Sequence, residues 1–338
     1  VGSQMCIRDR VYDLARISRY RRPEDNLTLQ TAQKLYGDWA PSISRLEKFA
    51  ACACAHFLTY GLRLKEREVY EFAALDFGNI FHKALEKYAR RVEREGLEWT
   101  EVTKEQQEQF ASESVDESIV DYSNTVIYSS ARNAYIVPRM KRMMNRTVWA
   151  MTKQLRKGSF KPEGYEVSFG NGKIDRIDTC ETEDQVYVKI LDYKTGAKSF
   201  DMAAFYHGLQ MQLVVYMEEA VRLEERKHPG KKIVPAGIFY YRMKDPIVGK
   251  ELDEEKLEEA ILKELRLDGI IRQEDTVIQR LDADFSGNSL VIPAGKTKSG
   301  YSKASKMLLP EEFDAVLTYA QKRRTDLQGA MYLSLIHI

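Results

Sequence analysis

The chain has 338 residues, 43% of them hydrophobic and 30% charged, which suits a globular protein with one large core or two ordinary ones. With 52 basic against 51 acidic side chains the net charge is +1, so there is no global field to draw in nucleic acid, and any such footprint must be local. The apolar runs fall far short of a membrane span, and no signal peptide opens the chain. The four cysteines (Cys6, Cys52, Cys54 and Cys180) form neither a disulfide framework nor a C-x-x-C pair, which points to a reducing, cytoplasmic setting.

Both ends stand apart. VGSQMCIRDR (1–10) and LSLIHI (333–338) have no periodicity continuous with their neighbours and resemble translated read-through of sequencing adapters, so they are expected to be non-native. SISRLEKFAACACAHFLTYG reads as a helix, with Ser44 and Glu47 at capping-box spacing and Gly61 as its stop. A second helix, GNIFHKALEKYARRVEREG, gathers Ile80, Phe81, Ala84, Leu85 and Tyr88 on one face. Helical patterns follow over 103–124 and 130–157. The texture then changes to the strands YEVSFG, KIDRIDTC and VYVKILDY, separated by turn signals. A helix through YHGLQMQLVVYMEEAVRLEE and a strand, IVPAGIFYYR, come next. A charged helix (252–267), a strand (276–282), a Gly/Ser/Lys loop (286–306) and a last helix from Glu311 complete the chain. Strands interleaved with helices predict an α/β protein with a mixed sheet.

The most informative stretch is KILDYKTG, 189–196. Residues i and i+2 of a strand share a face, so Asp192 and Lys194 project together. If the turn in ETEDQ centres on Glu183-Asp184, cross-strand partners sum to 367, and Asp175 of the preceding strand lies opposite Asp192. Two carboxylates about 5 Å apart repel, and a hard divalent cation is the natural remedy. Such an ion acidifies a bound water and neutralises a phosphate oxygen, while Lys194 orients or deprotonates that water. An Asp-x-Lys on a strand is more often a solvated pair of little energetic weight. Three companions raise it above that reading: Gly-x-Ile-Asp (172–175), Gln212-x-x-x-Tyr216 one helical turn long, and His82 on an upstream helix.

In this order, Gly78-x-x-x-His82, Gly172-x-Ile-Asp175, Asp192-Tyr193-Lys194 and Gln212-x-x-x-Tyr216 resemble the RecB-type branch of the PD-(D/E)XK nucleases. SISRLEKFAACACAHFLTYGLRLKERE, GLQMQLVVY and PAGIFYYRMKDP are similar to the C-terminal part of the AddB family of helicase–nuclease subunits, over residues of about 30 to 332. The resemblance implies a restriction-endonuclease-like fold with His82, Asp175, Asp192 and the Tyr193 carbonyl as ligands of Mg²⁺ or Mn²⁺. It implies Asp175, Asp192 and Lys194 as the catalytic set, with Gln212 and Tyr216 positioning DNA and Glu166 as an acid behind the ligands. Asp178 reads as structural, paired with Arg176. The implied organisation is a tail of a preceding helicase-like region (11–40), a nuclease core (41–250) with a helical insert (97–160), and a C-terminal extension (251–332).

The same resemblance places Cys52 at the first position of a [4Fe–4S] cluster whose other three cysteines are absent here. Cys52 and Cys54 are therefore expected to be small buried residues, and Cys180 structural. Nine basic residues and no acidic one lie between Arg132 and Lys161, which predicts contact with a phosphate backbone through side chains such as Arg142 and Arg146. The Lys296, Lys298, Lys303 and Lys306 loop is a weaker version of the same signal. AGKT at 294–297 is not a nucleotide loop, because position 290, where a glycine is needed, is Leu.

The resulting expectation is a Mg²⁺-dependent deoxyribonuclease domain, working with an AddA-type helicase–nuclease subunit on DNA double-strand ends. The rivals are a stand-alone RecB-like exonuclease of the CRISPR-adaptation type and a nuclease fold kept as a DNA-binding scaffold.

Overall fold

The computed structural model describes residues 29–36, 41–65, 74–122, 127, 135–170, 172–248, 253–283 and 286–333. Residues 1–10 and 334–338, with Cys6 and Arg132, lie outside the described residues. The strands are β1 (Lys161–Phe169), β2 (Gly172–Glu181), β3 (Gln185–Lys194), β4 (Lys232–Arg242), β5 (Asp268–Arg272), β6 (Lys296–Thr297), β7 (Gly300–Tyr301) and β8 (Met307–Leu308). Six of them form one mixed sheet in the order β1-β2-β3-β4-β5-β8, and β6 and β7 make a separate ribbon. The pairs β1–β2, β2–β3 and β4–β5 are antiparallel, whereas β3–β4 and β5–β8 are parallel.

The described helices are α1 (Leu29–Tyr36), α2 (Ile43–Ala51), α3 (Ala53–His56), α4 (Ala74–Arg94), α5 (Lys104–Tyr122), α6 (Ile136–Leu155), α7 (Met202–Tyr206), α8 (Gln212–Lys227), α9 (Glu254–Glu264), α10 (Asp275–Leu281) and α11 (Pro310–Leu333). Alternation along β3 sends Tyr187, Leu191 and Tyr193 into a core with Phe81, Leu85 and Tyr88 of α4 and Met140 and Met144 of α6. Val186, Val188 and Ile190 point the other way, onto Leu213, Val214 and Met217 of α8 and Phe313 of α11. A strand covered on both faces reads as a near-continuous apolar run, which is why the charged end of β3 stands out.

Several expectations are corrected. The cap of α2 is Ser42, whose Oγ accepts the Arg45 N–H at 3.3 Å, rather than Ser44. Glu47 reaches away from its own helix, as described below. The predicted single helix over 42–60 breaks at Cys52, whose Sγ caps α3, and continues as a π-helical turn, Phe57–Gly61. Cys52 and Cys54 are exposed, not buried, while Cys180 is buried. The helix expected through 206–225 is interrupted at Gly208, which takes φ +80°. The strand expected at 276–282 is α10: its buried residues Val277, Ile278 and Leu281 follow helical spacing despite their β-branched look. The true strand is β5, which directly follows the helix expected over 252–267 and carries Gly269. Its role is close approach, since a Cβ there would sit 1.9 Å from the Ile238 carbonyl oxygen of β4.

Candidate active site

The β2–β3 hairpin turns at Glu183-Asp184, with the Thr182 N–H donating to Gln185 O at 2.8 Å. Its register runs Arg176–Leu191 and Ile177–Ile190, the expected sum of 367, and one step further sets Asp175 across from Asp192. On the other side of β2 the pairs Tyr165–Arg176 and Val167–Ile174 bracket Glu166, so Glu166 lies across from Asp175. Three carboxylates thus stand in a row on three adjacent strands.

Glu166 holds this place by a local distortion, with φ at +50° in a non-glycine residue. The kink breaks the alternation of β1: Tyr165 packs on the α4–α6 side and Val167 on the α8 side. A left-handed residue inside a strand is a device that re-aims a side chain.

Helix α4 brings His82 over the end of the sheet because Ile80, Phe81, Ala84 and Leu85 anchor its apolar stripe. His82 meets the Tyr193 ring edge-on, and its Nε2 lies 3.0 Å from the Tyr193 carbonyl oxygen. Nδ1 lies 3.3 Å from Asp175 Oδ2 and 3.9 Å from Glu166 Oε1. Asp175 Oδ2 also accepts the Tyr193 N–H at 2.7 Å, so both sides of the Tyr193 backbone are pinned to the site. Burial opposes charge on His82, but Asp175, Asp192 and Glu166 outweigh it and raise its proton affinity above the ordinary value.

Asp192 is buried, its Oδ1 accepting from Gln212 Nε2 at 2.8 Å and its Oδ2 paired with Lys194. Gln212 also donates to the Tyr216 hydroxyl at 3.0 Å and accepts from Lys194 Nζ at 3.4 Å. One amide therefore ties together Asp192, Lys194 and Tyr216, which is the reason for the Gln-x-x-x-Tyr spacing on α8. Burial first, and the charge of Asp175 second, push the Asp192 carboxyl up to about 6 against the pull of Lys194.

His82, Glu166 and Lys194 open onto a cleft of about 440 Å³ that Tyr193, Lys173 and Lys198 also line. Lys173 donates to Glu166 at 2.7 Å, and the ammonium groups of Lys194 and Lys198 lie over the Tyr240 ring. Sequence reasoning missed Lys198, Tyr240 and above all Glu47. The Glu47 Oε1 accepts the Met211 and Gln212 N–H groups at 2.7 and 3.0 Å, capping α8 from α2 and setting the start of the helix that carries Gln212 and Tyr216. No local pattern signals a cap supplied from 164 residues away.

A divalent ion fits here. His82, Glu166 and Asp175 offer ligand atoms all within 4.8 Å of one another, and the Tyr193 carbonyl lies 3.0 Å from His82 Nε2, the ring nitrogen opposite the one that faces the carboxylates. Octahedral Mg²⁺, with bonds of about 2.1 Å, sets neighbouring ligands about 3 Å and opposite ligands about 4 Å apart. Glu166, expected to stand behind the ligands, presents an oxygen to the same space, while Asp192 is turned toward Gln212 and Lys194. The [4Fe–4S] cluster does not fit the described cysteines, because Cys180 is buried on the sheet beside Arg280, apart from Cys52 and Cys54.

The sequence profile of the PD-(D/E)XK nuclease superfamily matches residues 40–294. The chain belongs to this superfamily. The chain is 37% identical over 319 residues to the B-type subunit of the ATP-dependent helicase/deoxyribonuclease of Lachnoclostridium phytofermentans, covering 89% of this chain and 28% of that relative. Proteins of the same description from Alkaliphilus metalliredigens and Caldanaerobacter subterraneus subsp. tengcongensis are each 36% identical, over 83% and 88% of this chain and 26% and 28% of their own lengths. The chain thus spans just over a quarter of the length of these relatives.

The basic stretch of the chain is less bare than its sequence suggests. Lys141 pairs with Asp116, Lys153 with Glu258 and Lys161 with Glu98, so neighbouring elements supply the missing acids. Arg142 and Arg146 line a separate groove between α6 and α9 that also carries Glu108, Asp245, Glu254 and Glu258. Among the described residues, no helix is long and apolar enough to cross a membrane.

Proposed function

We propose that this chain is the nuclease domain of a helicase–nuclease subunit, hydrolysing phosphodiester bonds of DNA unwound at double-strand ends by an AddA-type partner. The observation that carries the reading is the row Glu166–Asp175–Asp192 facing His82, with Lys194 held beside it by Gln212. His82, Glu166 and Asp175 would hold a bound Mg²⁺ or Mn²⁺, with Asp192 and the Tyr193 carbonyl at the margin of the site, and the ion would acidify a water and neutralise a phosphate oxygen. The residues of the chain do the rest. Lys194 stands on the cleft side of Asp192, where its ammonium can orient the attacking water and stabilise charge on the phosphate. Gln212 and Tyr216 keep Asp192 and Lys194 in register with each other. Lys173 and Lys198 give the cleft a cationic rim for a phosphate backbone.

The names of the relatives support the helicase partnership, and the cytoplasmic setting follows from work on chromosomal DNA. The test is Mg²⁺-dependent cleavage of linear single-stranded DNA by the unmodified chain and by Asp192→Ala, alone and joined to the partner protein. Loss of about 10³-fold or more is expected for the variant. Equal cleavage by both, or cleavage by neither in the assembled complex, overturns the proposal and leaves the scaffold reading.

A further inference from the structure

At the far end of α8, about 18 Å along the helix axis from Gln212, a second cluster lies outside the nuclease cleft. Glu224 and His228 are one turn apart there, and Glu163 of β1 reaches over to them. Their ligand atoms lie within 4.8 Å of one another. Glu224 is fully buried, with its Oε1 accepting from Lys227 Nζ at 2.8 Å. Its Oε2 and the Nε2 of His228 are both buried, and neither makes a hydrogen bond among the described residues. These two orphaned atoms face each other at 3.3 Å.

We propose that Glu163, Glu224 and His228 form a second divalent-metal site, of the kind that takes zinc, which ties β1 to the end of α8. Ligands bound at 2.0–2.2 Å around tetrahedral zinc lie about 3.3 Å apart, the separation found between Glu224 Oε2 and His228 Nε2. A metal-bound imidazole keeps its other nitrogen on a carboxylate, and His228 Nδ1 lies 3.5 Å from Glu181 Oε1, itself held by Lys231 at 2.8 Å. His228 is also the C-cap of α8, and the carbonyl end of a helix favours a cation. An imidazole among the ligands selects zinc-type ions over Mg²⁺ or Ca²⁺. Lys227 bridges Glu163 Oε1 and Glu224 Oε1 at 2.8 Å each, and Thr179 donates to Glu163 Oε2 at 2.7 Å. These contacts leave Glu224 Oε2 for the ion, with a spare lone pair on Glu163.

The test uses the full 338-residue chain carrying Asp175→Ala, which disables the nuclease centre as a competing site. Titration with Co²⁺ is expected to develop the visible bands of four-coordinate cobalt at one equivalent, and Zn²⁺ to displace them. Adding His228→Gln abolishes the bands, and adding Glu181→Gln weakens binding about 10–100-fold. Independently, Zn²⁺ at 100 times its Kd is expected to raise the Tm of the Asp175→Ala chain by about 5 °C, a shift absent with His228→Gln. No Co²⁺ bands, or bands and a Tm shift that survive His228→Gln, overturn the proposal. In the first case the cluster is a structural contact of His228 with Glu181 and Glu224 and binds no ion.

Discussion

Asp175 and Asp178 stand close together on the same strand, yet their surroundings have opposite electrostatic characters. Asp178 is fully buried, gripped by Arg176 at 2.5 and 2.9 Å and by Lys189 at 3.2 Å. The Arg176 guanidinium lies over Trp99, with Nη1 on Met151 Sδ. Burial works against the charge of Asp178, but Arg176 and then Lys189 hold it below the usual carboxylate range. Two cations serve one anion there. At the Asp175 end three carboxylates share Lys173 and Lys194, and burial leaves Asp192 pushed up to about 6. One cluster is complete within the chain. The other is left with negative charge that an added cation satisfies, and this distinguishes a charge kept for folding from a charge kept for chemistry.

The most severe test of that contrast is at Asp178. Asp178→Ala strands two buried cations and is expected to cost about 3–5 kcal/mol in urea unfolding. A cost under about 1 kcal/mol would remove the distinction between the clusters. Asp192→Asn probes it from the other side. A carboxyl raised from its ordinary value to about 6 contributes stability that is present below the unfolded value and lost as pH climbs through 6. In chelator at pH 7.5 the variant is therefore expected to be more stable than the parent by on the order of 1–3 kcal/mol while losing cleavage. The two should converge below pH 4. Calorimetric scans from pH 4 to 8 that show parallel curves count against the assignment. The smallest effect is expected at Glu47. Glu47→Ala leaves two helix N–H groups without an acceptor and should cost about 1–2 kcal/mol, whereas Glu47→Gln, which keeps the oxygen, should retain most of the stability and cleavage. Equal losses in both would show that the charge, not the cap, matters.

Much of the candidate site was legible because strand and helix periods are short-range rules. Alternation put Asp192 and Lys194 on one face, a turn at Glu183-Asp184 set the register to Asp175, and helical spacing joined Gln212 to Tyr216. Glu166 was visible as an acid but not as a neighbour of Asp175, because its place depends on a positive φ that breaks the alternation of β1. Glu47 was read as a cap of its own helix and proved to be the cap of another, a contact set only by how α2 packs on α8. In the basic run of 132–161, Lys141, Lys153 and Lys161 find counter-charges in Asp116, Glu258 and Glu98, distant in the chain. The β5/α10 exchange shows the limit of short apolar runs, where β-branched residues and helical spacing give opposite signals.

The lateral row that starts at Glu166 does not stop at Asp192. The register continues it through Tyr240 of β4 to Asp268 of β5, so side chains far apart in sequence share one line across five strands. No single hairpin or helix–strand unit among the described residues contains a working fragment of the cleft. A row built this way is completed only when the strands of the sheet are zipped together, so a nascent or partly unfolded chain does not present it.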